Sequence, residues 1–352
     1  MKRLTQLPAF AAWLFLAACA PDPIFVSPST PIGDATVQRV YLATDRQLTD
    51  ALSGTTERAD KLSFAQYDVT IPPGHQLGEV EFSPSNPDPA KNFTLANAES
   101  ILTRTEFGSI VRSQIGPSGR PLDGTVIYVH GFNTSLEKAV YRHAQIAHDY
   151  GLIGPQITYS WPSIETAFGY VRDKDSTLIA RDRLEELLVE VTRDGKEVFI
   201  FGHSMGTQLV VETLRQMSLS GRRDVLGRIG GVILISPDID VDLFEMMQAR
   251  IEPFPQPFVL MISQRDYALR ISSILTAEPE RLGDAKDLQQ LAALDILVLD
   301  LSGLPNARDH FLAATSPIVI DIVNRVRAQD ATKPFPRRGV IDVAALQAEG
   351  VN

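Results

Sequence analysis

Apolar positions change their period about a third of the way along the chain. Before residue 125 they are sparse or alternate with polar ones. Val37 to Ala43 (Val-Gln-Arg-Val-Tyr-Leu-Ala) predicts a strand, and Phe64 to Ile71 alternates as a second, stopped by Pro72-Pro73-Gly74. Ser83 to Lys91 contains three prolines and reads as a loop. From Thr125 onward, short apolar runs alternate with segments of helical spacing. Val126–Val129, Gln156–Trp161, Val198–Phe201, Gly231–Ile235, Phe258–Ile262 and Ile296–Leu299 read as strands. Ser135–Tyr150, Ser176–Thr192, Ser204–Met217 and Phe311–Val326 read as helices. Strands that are apolar on both faces and alternate with amphipathic helices predict the α/β class: a mostly parallel sheet with helices on both faces. No repeat period is visible.

Composition is ordinary for a globular domain: 352 residues, 44% hydrophobic and 22% charged. The formal charge of −10, with no basic run beyond the first residues, argues against nucleic acid, whose binding needs clustered Lys and Arg. The one cysteine, Cys19, excludes an internal disulfide and a Cys-based metal site. Its position is informative. Met1-Lys2-Arg3, an apolar stretch from Leu7 to Ala18, and Leu16-Ala17-Ala18-Cys19 have the order of a secretory leader ending in a bacterial lipobox. The expectation is cleavage before Cys19 and lipidation of its thiol, which holds the chain on a membrane in the cell envelope, on the periplasmic face. The predicted organisation is a leader over 1–18, a flexible tether over 19–35 rich in Pro and Ser, a domain over 36–328 and a tail over 329–352.

Gly202-His203-Ser204-Met205-Gly206 fits G-x-S-x-G and sits between a predicted strand and a predicted helix. That context makes Ser204 a candidate nucleophile raised on a tight turn. A serine hydroxyl needs a base, and the base a third group that orients it. With the order Ser, acid, His that accompanies this motif, His310 is the base, because it alone of the six histidines lies downstream of Ser204. The acid is less constrained. Asp266 directly follows the strand Phe258–Ile262 and is preferred; Asp238 and Asp240 follow the preceding strand and compete, with helix capping as their alternative role. The oxyanion hole is expected from the N–H groups of Met205, at a helix N-terminus, and of Phe132, in the turn His130-Gly131-Phe132-Asn133; loss of one such donor costs about 3–4 kcal/mol. His130 and His203 are expected to pack around the two turns. Asn133 and Trp161 are candidate pocket residues, and Arg265 to Asp295 a candidate lid. Neither a metal-ligand spacing nor a phosphate loop is visible, so no metal and no cofactor are expected.

Val129-His130-Gly131-Phe132-Asn133, Ser160-Trp161-Pro162, Gly202–Gly206, Ser236-Pro237-Asp238-Ile239-Asp240 and Arg265-Asp266-Tyr267-Ala268-Leu269 together resemble a family of bacterial α/β hydrolases of unassigned function, many of them lipoproteins. The likeness spans roughly Val37 to Val326. It implies the α/β-hydrolase fold, Ser204 as nucleophile and Asp266 and His310 as its partners, and it implies no substrate. The expected activity is hydrolysis of carboxylic esters, either envelope lipids or small soluble esters. A lipid-anchored binding protein that keeps the fold without turnover is the alternative, and a cofactor-free peroxidase-like activity a minor third reading.

Overall fold

The computed structural model describes residues 25, 30–83, 86–101, 103–114, 124–277, 280–329 and 337–348. The expected leader and Cys19 lie outside the described residues. In chain order the strands are β1 (Thr36–Leu48), β2 (Gly54–Ile71), β3 (Thr94–Ile101), β4 (Gly124–Val129), β5 (Gln156–Ser160), β6 (Glu197–His203), β7 (Ile229–Ile235), β8 (Phe258–Ile262), β9 (Leu297–Asp300) and β10 (Gly339–Asp342). The helices are α1 (Arg104–Arg112), α2 (Leu136–Asp149), α3 (Tyr170–Val191), α4 (Met205–Leu219), α5 (Arg223–Leu226), α6 (Val241–Gln248), α7 (Tyr267–Thr276), α8 (Leu288–Ala292), α9 (Leu312–Thr315), α10 (Pro317–Gln329) and α11 (Val343–Ala348).

All ten strands form one sheet, in the order β10-β9-β8-β7-β6-β4-β5-β1-β2-β3. Antiparallel pairing is confined to β1–β2 and β2–β3; the other neighbours pair in parallel. The interior strands explain the continuous apolar runs. Ile127, Val129, Ile200, Val232, Leu234 and Leu260 pack into one large cluster with α1, α3, α4 and α6. Tyr128, Ile235, Val259 and Met261 face the other side, with residues of α2, α9 and α10. A strand covered on both faces has no polar face, so alternation disappears.

After β4 the chain crosses to β5 on one side and then returns to β6 on the other. This reversal opens a crevice at the carboxyl ends of β4 and β6, where ligands bind in open α/β sheets. The Gly131 and Ser204 turns meet there.

Three expectations need correction. The segment after residue 329 is no mere tail, because β10 pairs with β9 from Gly339↔Leu297 to Asp342↔Asp300 and Val343 of α11 is buried. The last helix is two. Ser316 is extended (ψ 115°) ahead of Pro317, whose ring disfavours helical backbone in the preceding residue, so α9 ends and α10 begins there. The tether touches the domain at Phe25, whose ring lies 4.8 Å from that of Tyr67 and 5.6 Å from that of Tyr141. The short element pair β3 and α1 escaped the sequence reading altogether.

Candidate active site

Ser204 sits between β6 and α4 with φ 51° and ψ −125°, a conformation that favours glycine and is strained for any side chain. The turn is clamped from several sides. Ser204 N–H donates to Ile235 O of β7 (2.9 Å), and Thr207 N–H donates to Ser204 O (3.0 Å). The flanking glycines answer to close backbone approach. A Cβ at Gly206 would lie 2.3 Å from His130 O, and one at Gly131 would lie 2.7 Å from Ser204 Cβ. The two turns are therefore packed against each other, and the small residues are what permit it.

Asp266 divides its carboxylate between two tasks. Oδ1 accepts from Ala268 N–H (2.9 Å) and Leu269 N–H (3.1 Å), capping α7. Oδ2 lies 2.7 Å from His310 Nδ1. Asp266 is fully buried, so its charge acts in a low dielectric. Burial lowers the affinity of His310 for a proton, but the bond to Asp266 and that carboxylate's charge override it, and the pKa stands above the ordinary histidine value. His310 Nδ1 is thus held as a donor, leaving Nε2 to act.

The competing carboxylates are occupied elsewhere. Asp238 Oδ1 accepts from Arg281 Nε (2.8 Å) and Ser272 Oγ (2.7 Å), and Oδ2 accepts from Tyr170 Oη (3.0 Å). Both Asp238 and Arg281 are buried, so this is a structural ion pair beside the crevice. Asp240 caps α6 by accepting from Leu243 N–H (2.8 Å). Neither bonds to His310.

Ser204 Oγ makes no hydrogen bond to His310 among the described residues. Asp266 and His310 are joined, and Ser204 is not. The two imidazoles expected to pack do so. His203 stacks on Phe311 (4.1 Å between ring centroids) and lies 4.8 Å from the His310 ring. Burial, and then the charge of His310, hold His203 well below the ordinary histidine pKa. His130 is pushed down to about 3, by burial first and Arg46 second; its Nδ1 lies 2.8 Å from Gly131 O and its Nε2 3.1 Å from Trp161 O, and the neutral ring donates to one of the two. Both rings are neutral at neutral pH.

Phe132 and Met205 stand at the two turns, and neither backbone N–H has an acceptor among the described residues. For Met205 this follows from its place as the first residue of α4. Asn133 is half-buried with φ 53° in the same turn. Trp161 corrects the pocket expectation. It is fully buried, stacks on His130 at 4.9 Å and donates from Nε1 to His130 O (2.8 Å). Its large ring braces the β4 turn from behind instead of lining a cavity. Phe132 packs edge-on against Tyr170, at 5.5 Å between ring centroids.

Arg46 was not singled out from the sequence. A register shift in β1 between Thr44 and Arg46 re-aims its side chain inward, where it is fully buried. It donates to Thr134 O (2.6 Å), Ser163 O (3.3 Å), Ser160 Oγ (3.1 Å) and Glu165 Oε1 (2.7 Å), fastening the loops after β4 and β5 together. The available signal was a charged residue three positions past the apolar run Val40–Ala43.

One group of described residues has ligand atoms close enough to hold a metal ion: His75, His148 and Asp149. Both nitrogens of His75 are already engaged, Nδ1 with Glu81 Oε2 and Nε2 with Asp149 Oδ1, each at 2.8 Å. That arrangement suits an imidazolium between two carboxylates, not a metal ligand.

Solved structures offer weak likenesses. Among solved structures, an esterase of Rhizomucor miehei matches with a TM-score of 0.35 and 12% identity, over 84% of either chain. Aspergillus fumigatus lipase B matches with a TM-score of 0.39 and 14% identity, over 67% of this chain and 59% of that one. A thermostable esterase of Pseudomonas putida matches with a TM-score of 0.37 and 10% identity, over 85% and 83%. Likenesses this weak carry no argument. No curated protein matches the chain. A family model matches residues 117–327, from just before β4 into α10, which is more than half of the sequence. The chain belongs to the family described as alpha/beta hydrolase of unknown function (DUF900).

Proposed function

We propose that the protein is a serine hydrolase of carboxylic esters, held in the cell envelope by a lipid on Cys19. The observation that carries the reading is the 2.7 Å contact between Asp266 and His310, next to a strained serine turn. In the proposed cycle His310 Nε2 takes the Ser204 proton as Oγ attacks the acyl carbon, and the carbonyl electron pair moves to oxygen. The N–H groups of Phe132 and Met205 receive that oxyanion. Collapse expels the alcohol, which takes the proton from His310. Water, deprotonated by the same imidazole, then attacks the acyl-enzyme, releasing the carboxylic acid and restoring the serine. Asp266 stays ionised and holds the imidazole in the required tautomer. The missing Ser204–His310 bond favours one rival, a silent lipid-anchored binding protein. It is also ordinary for a free enzyme, since catalytic bonds tighten when substrate arrives.

Labelling with a fluorophosphonate followed by peptide mapping tests the reading. The expected result is one adduct on Ser204, abolished by Ser204→Ala, with ester turnover lost by about 10³-fold or more. Folded protein that takes no label would leave the binding protein as the reading. The anchor is tested by mass spectrometry of the N-terminal peptide: diacylglyceryl on Cys19 is expected, and an unmodified thiol would remove it.

A further inference from the structure

Helix α7 buries only Leu269 and Ser272. Its outward face carries Tyr267, Ile271, Ile274 and Leu275, which are 46%, 40%, 80% and 61% exposed. These lie at i, i+4, i+7 and i+8, the spacing of a single helical face. Such a stripe ordinarily points at the core, and here it points away. Tyr170 Oη lies 2.9 Å from Ser272 Oγ, so the start of α3 is bonded to α7. There Phe168 and Val171 are 86% and 75% exposed. Scattered apolar side chains on a surface need no explanation, but six on two bonded segments mark an interaction site. The position matters as well. Asp266 caps α7, Tyr267 N–H donates to Arg308 O (3.2 Å) in the loop leading to His310, and Tyr170 meets Phe132. The patch rims the candidate site.

Its charges choose the occupant. From Arg265 to Ala277 the exposed charged side chains are Arg265 and Arg270, and from Phe168 to Asp175 those not buried are Arg172, Lys174 and Asp175, so the patch carries four basic groups and one acidic in a chain of formal charge −10. An apolar helical face flanked by cations fits the boundary between headgroups and acyl chains of an anionic membrane. A second copy fits less well, since an isologous contact repeats each patch on its partner and sets these arginines against like charges. We propose that the α7 face, with Phe168 and Val171, docks on an anionic lipid surface and turns the crevice at Ser204 toward it. Docking does not depend on Ser204 reacting; together with the chemistry proposed above, on which this step rests, it makes membrane-lipid esters the substrate class.

The test uses the full chain carrying Ser204→Ala, so that lipids stay intact, with a reporter tryptophan at one of two places. Ile274→Trp puts it on the patch. Leu219→Trp puts it on a 60% exposed position at the far end of α4, about 20 Å along that helix from Ser204. Vesicles contain phosphatidylglycerol and phosphatidylcholine with brominated acyl chains, and the parent's emission is subtracted. Because both variants share the N-terminus, a lipid anchor raises both alike and only orientation separates them. The expected result is quenching of the Ile274→Trp emission at least about twofold stronger than that of Leu219→Trp, weakened by salt and by Arg265→Glu/Arg270→Glu. Thermal unfolding verifies that each variant is folded. Equal quenching at the two positions, or none, overturns the proposal. Quenching that is as strong on pure phosphatidylcholine overturns its electrostatic part. Self-association in lipid-free sedimentation that Ile274→Trp disrupts would assign the patch to a second copy and overturn it too. A chain that docks but takes no fluorophosphonate would retain this inference and lose the enzymatic one.

Discussion

At position 204 a strained backbone and the candidate nucleophile coincide. With φ at 51° the turn suits glycine, and the serine is retained at a cost of about 1–3 kcal/mol. Ser204→Ala keeps that strain and Ser204→Gly relieves it. In urea denaturation Ser204→Gly is expected to be more stable than Ser204→Ala by about 1 kcal/mol, although both are inactive. Equal stability would mean the backbone is not strained by its side chain. Asp266 separates two roles in the same way. Asparagine still caps a helix, so Asp266→Asn should leave stability nearly intact while turnover falls by about 10³- to 10⁴-fold. Asp266→Ala loses the cap as well, about 1 kcal/mol more. The pH dependence has a defined sign. His310 must be neutral to accept a proton, and its pKa is raised by Asp266 against the pull of burial. The acid limb of kcat/KM for a neutral ester should therefore have its midpoint above about 6.5 and move to lower pH in Asp266→Asn. Stability runs the other way: what the pair contributes is fully present below the unfolded histidine pKa and is lost as pH rises through the folded one.

At the scale of elements, the parallel half was legible because period and length both speak. Runs such as Phe258–Ile262 fit a strand buried on both faces, and the observed strand has those bounds. The strained turn at Ser204 and the pairing of Asp266 with His310 were legible because strand, turn and helix constrain what stands at each strand end. The edges were not. β3 reads Thr94-Leu-Ala-Asn-Ala-Glu-Ser-Ile101, a half-exposed strand with weak alternation that pairing with β2 stabilises. β10 has four residues, and its place comes from β9. Arg46 was hidden for a related reason: a bulge, which no residue pattern announces, sends a strand residue between two loops. Its bonds span the turn that carries Phe132, so its replacement tests how that turn is held. Arg46→Lys keeps the charge and loses the fork of donors. kcat should fall by about 10-fold or more with KM little changed, since the oxyanion donors act mainly in the transition state. If Arg46 served stability alone, kcat per folded molecule would be untouched.

The whole molecule supplies a second brace, from the end of the chain that lacks the candidate nucleophile, acid and base. His75, in the loop after β2, bridges Glu81 and Asp149 at the end of α2. Asp149 Oδ2 also accepts from Gly78 N–H (2.7 Å), and Gly78 O accepts from Arg142 of α2 (3.0 Å). The Arg142 guanidinium lies 5.3 Å from the Phe311 ring, which stacks on His203 beside His310. Gln145 donates to Ala314 O (3.0 Å), fastening α2 to the same turn from below. The antiparallel edge thus reaches His310 through packed contacts, which gives residues 72–81 a reason to stay ordered. Burial disfavours a charge on His75, but Asp149 and Glu81 raise its pKa above the ordinary value, and His75 in turn helps hold Asp149 low against burial. His75→Ala is expected to cost about 1.5–3 kcal/mol near pH 6, the range for a hydrogen bond to a charged group, since Asp149 keeps its bonds to Gly78 and Gln145. The difference from the parent should shrink as pH rises through the raised His75 value, because the imidazolium is then lost in both states, and as pH falls through the lowered Asp149 value, because the carboxylate is then neutralised. Urea midpoints measured from pH 3 to 9 should trace a maximum between these limits. A difference independent of pH would mean that His75 packs without charge, and the brace would then act through shape alone.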